Sequence, residues 1–142
     1  MPAIETQIWL ALKARIDTLV TSPTMPKYDP DATFTPPSSG GVLQPFILVS
    51  DVRNDNRRIT IGPGLHARSG TLMLSIHWPA SNPIAHAALL QIAGKVAAHF
   101  PADLRMKYGS CCLRVTRDSD SMQPYRDGIH TVSLVKVYWS TT

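Results

Sequence analysis

Apolar residues near the start of the chain recur every three to four positions. Ile8, Leu12, Ile16 and Leu19 form one stripe, Trp9 and Val20 lie at its edge, and Gln7, Ala14 and Thr18 lie opposite. That period predicts an amphipathic helix over 3–20. Pro2 suits its first turn, where an N–H would have no partner anyway, and Pro23 and Pro26 end the pattern. The same period returns over 83–100, where Leu89, Ile92, Ala93, Val96 and Phe100 make the apolar face and Gln91, Lys95 and His99 face away. Asn82-Pro83 reads as an N-cap followed by a first-turn proline.

Elsewhere the period is two. Over 70–78, Leu72, Leu74, Ile76 and Trp78 share one face and Thr71, Met73, Ser75 and His77 the other, which predicts a half-buried strand. Residues 109–117 alternate in the same way, with Cys111, Leu113 and Val115 opposite Cys112, Arg114 and Thr116. Residues 44–50 and 129–139 are short runs rich in β-forming side chains, and 58–61 reads as one more short strand, broken by Gly62-Pro63-Gly64. Residues 51–58 and 118–121 read as polar turns. Residues 21–43 hold five prolines and keep neither period, so they read as a proline-rich arm or loop with Tyr28 and Phe34 as anchors.

The resulting order, α–β–(β)–β–α–β–β, predicts an α+β fold. Its expected form is a mixed, mainly antiparallel sheet of four to five strands with two helices packed on one face and long loops. The register predicts that Leu72, Leu74, Ile76 and Trp78 pack against Leu12, Ile16, Leu89 and Val96, with Thr71 outward. A length of 142 residues and no visible repeat point to one domain over 1–142.

Composition narrows the class. Apolar residues make up 44% of the chain, which excludes wholesale disorder. Charged residues make up only 17%, which suits a surface that buries part of itself against partners. The net charge is +4, but no run of Lys and Arg exceeds two, so the dense stripe of a nucleic-acid-binding element is missing. No apolar run is long enough for a membrane helix, and the first residues lack the basic and apolar regions of a signal peptide.

Catalytic chemistry finds little support. His66, His77, His86, His99 and His130 are scattered, without the spacing of a metal site. Cys111 and Cys112 are neighbours and would point to opposite faces of a strand, which argues against a disulfide and for Cys111 as a small core hydrophobe. Glu5 is the sole glutamate, no G-x-S-x-G occurs, and nothing sets two carboxylates on facing elements. No catalytic, metal or cofactor site is expected.

One cluster suggests contact instead. Arg53, Arg57, Arg58 and Arg68 gather on the long connection over 51–69, which exceeds what a hairpin needs. Arginine is enriched at interfaces and pairs well with carboxylates. All four are expected at a self-association or other protein contact, with Arg57, Arg58 and Arg68 as donors and Asp118 and Asp120 as acceptors. The alternative is a small nucleic-acid-binding α+β domain using a sheet face lined by His77, Arg114 and Lys136.

Further landmarks run along the whole chain. Phe34-Thr35-Pro36-Pro37 precedes the first strand, Arg68-Ser69-Gly70 leads into the next, and Trp78-Pro79 closes it before an Ala-rich helix and the last strand over 132–139. In these features the chain resembles the phage tail terminator (tail completion) family of long-tailed phages. The resemblance implies a non-enzymatic virion protein that forms a homohexameric ring on the head-proximal end of the tail tube. Such a ring stops tube polymerisation and presents a surface to the head. The implied partners are other copies of itself, the tail tube protein and the head-tail connector protein, with no membrane and no specific nucleic-acid binding. The implied location is the virion tail, after assembly in the host cytoplasm.

Overall fold

A central antiparallel pair organises the structure. Ser69–Pro79 and His130–Thr141 run side by side from Ser69↔Ser140 to Pro79↔His130. The computed structural model describes residues 3–21, 24–30, 38–39, 41–54, 57–58, 66–81 and 84–141. In chain order the elements are α1 (Ile4–Asp17), β1 (Lys27–Tyr28), β2 (Ser38–Ser39), β3 (Val42–Leu43), β4 (Phe46–Arg53), β5 (Arg57–Arg58) and β6 (His66–Ala67). There follow β7 (Ser69–Pro79), α2 (His86–Ala98), β8 (Arg105–Tyr108), β9 (Cys111–Val115), β10 (Asp120–Ser121), β11 (Tyr125–Asp127) and β12 (His130–Thr141).

The main sheet runs β1-β4-β7-β12-β9-β8, and β10 and β11 also pair with β12. It is therefore larger than the four to five strands expected. β1 is parallel to β4, and the other pairings are antiparallel. Three of the additional strands are too short to carry an alternation signal. β1 lies inside the proline-rich arm, β10 lies in the 118–121 stretch that was expected to turn, and β11 lies in a stretch for which no element was expected. β8 was missed for another reason: the strand expected over 109–117 starts at Cys111, and Gly109, at φ 57°, turns a hairpin back onto 105–108, for which no strand was expected. β2 with β3, and β5 with β6, form two separate two-stranded ribbons.

The register expected for 70–78 is the one observed. Leu72, Leu74, Ile76 and Trp78 are buried, and Thr71, Met73, Ser75 and His77 are half-buried on the opposite face. Ile47 and Val49 of β4, Val135, Val137 and Trp139 of β12, and Cys111, Leu113 and Val115 of β9 continue the buried face. Ile8, Ala11, Leu12, Ile16 and Leu19 cover it from the first helical segment and its end, and Leu89, Ile92, Ala93, Val96 and Phe100 from the second. Both helices are shorter than expected, ending at Asp17 and Ala98, and α2 begins at His86 with Ala85 as an N-cap that has no side-chain bond. Asn82-Pro83 lies outside the described residues.

Three sequence expectations change here. Asp51–Arg53 extends β4 where a polar turn was expected, because the backbone still pairs with β7 through Arg53↔Gly70. Gln7, placed opposite the apolar stripe, is buried at the β8–β9 turn, where its Oε1 accepts from Ser110 Oγ at 3.3 Å. Val20, placed at the edge of that stripe, is 85% exposed, because α1 ends before it.

Gly70 has a steric duty. A Cβ there would lie 2.7 Å from the Trp139 ring and 2.6 Å from the Val52 carbonyl oxygen. The bare backbone lets the largest fully buried side chain lie across the central pair. This gives a physical reason for the glycine of the Arg68-Ser69-Gly70 motif.

Candidate functional site

Strand pairing arranges the open face of the sheet, the one away from the helices, in rows. At one end, Phe46, His77 and Val132 lie side by side, with Tyr125 opposite Val132. The next row is Leu48, Ser75 and Leu134, followed by Ser50, Met73, Lys136 and Asp120. Val52, Thr71 and Tyr138 come next. The far corner holds Arg114 opposite Ser140 and Arg105 opposite Arg114, with Lys107 beside Cys112.

The first end is aromatic. Phe46 stacks on His77 at 4.9 Å between ring centroids, and His130 meets both edge-on at 5.3 and 5.7 Å. Tyr28 packs edge-on against Phe46 at 6.0 Å, which places one of the two expected anchors of the arm. Burial pushes the pKa of His77 below the usual imidazole value, nearby His130 adds to the shift, and Asp127 opposes it.

The middle is apolar. Leu48, Met73 and Leu134 are half-buried, and Val52 is 49% exposed. No described helix covers them.

The far corner is cationic. Arg114 donates to Asp103 Oδ1 at 3.0 Å, and Asp103 itself sits in the left-handed backbone region at φ 66°. The Arg117 guanidinium stacks 3.9 Å over the Tyr138 ring, whose hydroxyl donates to Asp120 Oδ2 at 2.8 Å. Arg105, Lys107 and Lys136 have no ion-pair or hydrogen-bond partner among the described residues. Like charges directly across a strand pair repel, so Arg105 opposite Arg114 is an arrangement that gains from an external anion.

The arginines of the 51–69 connection divide into two groups. Arg53 points to the helix-covered side. It donates from Nη2 to the Glu5 carbonyl at 3.1 Å and from Nε to Asp51 Oδ2 at 3.2 Å, and it lies 5.9 Å from the Trp139 ring centroid. Arg68 stands 3.5 Å from Glu5 Oε1, and its backbone N–H donates to Thr141 Oγ1 at 2.9 Å. Both fasten the base of the connection to α1 and β12. Arg57 and Arg58 form β5, paired with His66 and Ala67, but their side chains lie outside the described residues, as do residues 59–65. Burial raises the pKa of Asp51, and the charge of Arg53 opposes the shift.

The expected acceptors are already engaged within the chain. Asp118 Oδ1 accepts from the Ala102 N–H at 3.1 Å, and Asp120 accepts from Tyr138. They lie beside the cationic corner, through β10 and the Arg117–Tyr138 stack, whereas Arg53 and Arg68 lie at the base of the β5–β6 ribbon. His77, Arg114 and Lys136 do share the open face, but His77 sits in the aromatic end, several rows from Arg114.

Arg105 and Lys107 were missed because the strand that carries them was not foreseen. The signal was present in Arg105-Met106-Lys107-Tyr108, an alternating run before Gly109-Ser110. Cys111 is buried, and burial pushes its thiol pKa up, the setting of a packed thiol rather than a thiolate. Among the described residues, no group of three or more His, Cys, Asp or Glu side chains converges for a metal, and no helix is long and apolar enough to cross a membrane.

Comparison with known proteins gives the class of the chain. A family model described as phage tail terminator protein matches residues 7–139, nearly the whole sequence. The chain belongs to this family, whose members serve as structural parts of phage tails. No curated protein matches it. A solved structure with 16% sequence identity superposes with a TM-score of 0.71 over 94% of this chain and 95% of its own, a likeness of fold alone.

Proposed function

We infer that the protein is a non-enzymatic tail component that forms a closed ring, hexameric as in the resemblance above, on the head-proximal end of the tail tube. The ring ends tube polymerisation and presents the head-joining surface. Its partners are further copies of itself, the tail tube protein and the head-tail connector protein, and assembly takes place in the host cytoplasm. The observation that carries this reading is the family match over 7–139, joined to a core with two surfaces left over. One is the open sheet face, and the other is the separate β5–β6 ribbon.

Rings close through heterologous contacts, in which one patch meets a different patch on the neighbour. The ribbon suits the first role, since Arg53 and Arg68 hold its base while Arg57 and Arg58 sit on the ribbon itself. Asp118 and Asp120 each keep lone pairs beyond the single bond described for them, so they remain the acceptors of choice. Arg57→Ala/Arg58→Ala isolates the contact, because it leaves the Glu5 contacts of Arg53 and Arg68 in place. The expected result is a folded protein that forms fewer rings in native mass spectrometry and leaves tails overlong. Normal rings and normal tails would remove the ribbon from the interface.

A further inference from the structure

The cations of this protein are used unevenly. On the helix-covered side the described cations other than Lys95 are engaged within the chain. Lys13 holds Asp29 and Asp17, and Arg15 donates twice to the His99 carbonyl. Lys27 donates to the Ile16 and Leu19 carbonyls, and Arg53 and Arg68 hold Asp51 and Glu5. On the open face Arg105, Lys107 and Lys136 hold no ion pair or hydrogen bond among the described residues, and the charge partners of Arg114 and Arg117 there are the exposed aspartates Asp103 and Asp120. Five cations against three carboxylates, Asp103, Asp118 and Asp120, leave this corner with a net +2.

We propose that this corner, with the apolar strip beside it, docks a different protein that presents carboxylates around an apolar centre. The proposal rests on the tail-assembly reading and deepens it by giving one partner surface its chemistry. Three observations select this occupant. Leu48, Met73, Leu134 and Val52 lie next to the cations, and an apolar centre with a charged rim is the anatomy of a protein interface. Asp103 and Asp120 stand among the cations, where they would repel a continuous phosphate backbone but can accept from side chains of a protein partner. A second copy is a poorer match, because Asp118 and Asp120 are assigned above to the ribbon's arginines, and of the other described carboxylates Asp127 alone has neither an ion pair nor a hydrogen bond.

The test uses the full-length protein with purified tail tubes and purified connector from the same phage. Binding is measured by co-sedimentation at low and high salt, with a duplex DNA oligonucleotide as a separate probe. Arg105→Glu/Lys107→Glu/Lys136→Glu should keep the native mass of the parent and lose binding to one of the two protein partners by about tenfold or more. The parent's own affinity for that partner should fall with salt, as charged contacts at an interface require. The neutral set Arg105→Gln/Lys107→Gln/Lys136→Gln should fall between, and it decides the matter if the reversed set does not fold. Unchanged binding by the variants overturns the docking surface and leaves the tail reading standing. A parent that binds neither tubes nor connector overturns both. Duplex DNA bound as tightly as the protein partner, or an altered oligomer mass in the variants, overturns the proposal in favour of a nucleic-acid face or a self-contact.

Discussion

The two faces of one sheet use charge in different ways. On the covered face, cations sit at the rim of the core and donate into it. Arg15 bridges α1 to the end of α2 through the His99 carbonyl, and Lys27 caps the carbonyls at the end of α1. These contacts satisfy backbone acceptors that a helix end leaves open. On the open face, three cations lie on strands and have no ion-pair or hydrogen-bond partner among the described residues. The first set is part of how the chain folds. The second set is left for something outside it.

The largest separation between the faces should come from the core itself. Trp139 is 1% exposed and lies across Gly70, so Trp139→Ala should cost roughly 3–5 kcal/mol of unfolding free energy in denaturant titration. Gly70→Ala should cost about 1–3 kcal/mol by overpacking the same place. A Trp139→Ala protein with the parent's stability would mean that the core is built elsewhere.

A smaller contrast compares like with like. Arg15→Ala removes two charge-assisted bonds to a helix-end carbonyl and should lower stability by about 1–3 kcal/mol. Lys107→Ala, on the open face, should leave the denaturation midpoint where it was. Equal effects would erase the distinction between fold-building and spare cations.

The pH dependence draws on both faces and should be smaller again. Burial lowers the pKa of His77 on the open face and of His99 on the covered side. For His99, a bond to the Arg15 carbonyl opposes the shift and the charges of Arg15 and Lys27 add to it. A histidine with a lowered folded pKa binds its proton more readily when unfolded. Its contribution is therefore complete above the unfolded value of 6.5 and is lost as pH falls through the folded value. Stability should decline on acidification below about 6.5, and His77→Gln/His99→Gln should flatten that decline. Asp51, with its pKa raised by burial, works in the opposite direction above its unfolded value of 3.8. An unchanged slope in the double variant would show that neither ring is held neutral by the fold.

What the sequence disclosed follows from the length of each signal. β7 and the two helices repeat their pattern often enough to fix face and register, so Leu72, Leu89 and Ile16 could be assigned to the core. β1, β10 and β11 span two or three residues and owe their conformation to pairing with β4 and β12, which no local pattern encodes. Gln7 shows the same limit in a side chain, since only the turn at Gly109-Ser110 makes its burial sensible. The arginines of the 51–69 connection were legible as a cluster but not as two populations. That Arg53 points toward Trp139 depends on β4 continuing past Ser50. The cationic corner was half visible, because Arg114 and Lys136 belonged to foreseen strands and Arg105 and Lys107 did not.

The central claim is that this family member closes a ring on the tube. Its most direct test is the mass of the purified protein by native mass spectrometry, alone and after incubation with purified tail tubes, with electron microscopy of the tube ends. The account predicts one closed ring on one end of each tube, a mass of six chains for that ring, and no further tube growth when tube subunits are added. Tubes that lengthen unchanged while the protein stays free of their ends would contradict it.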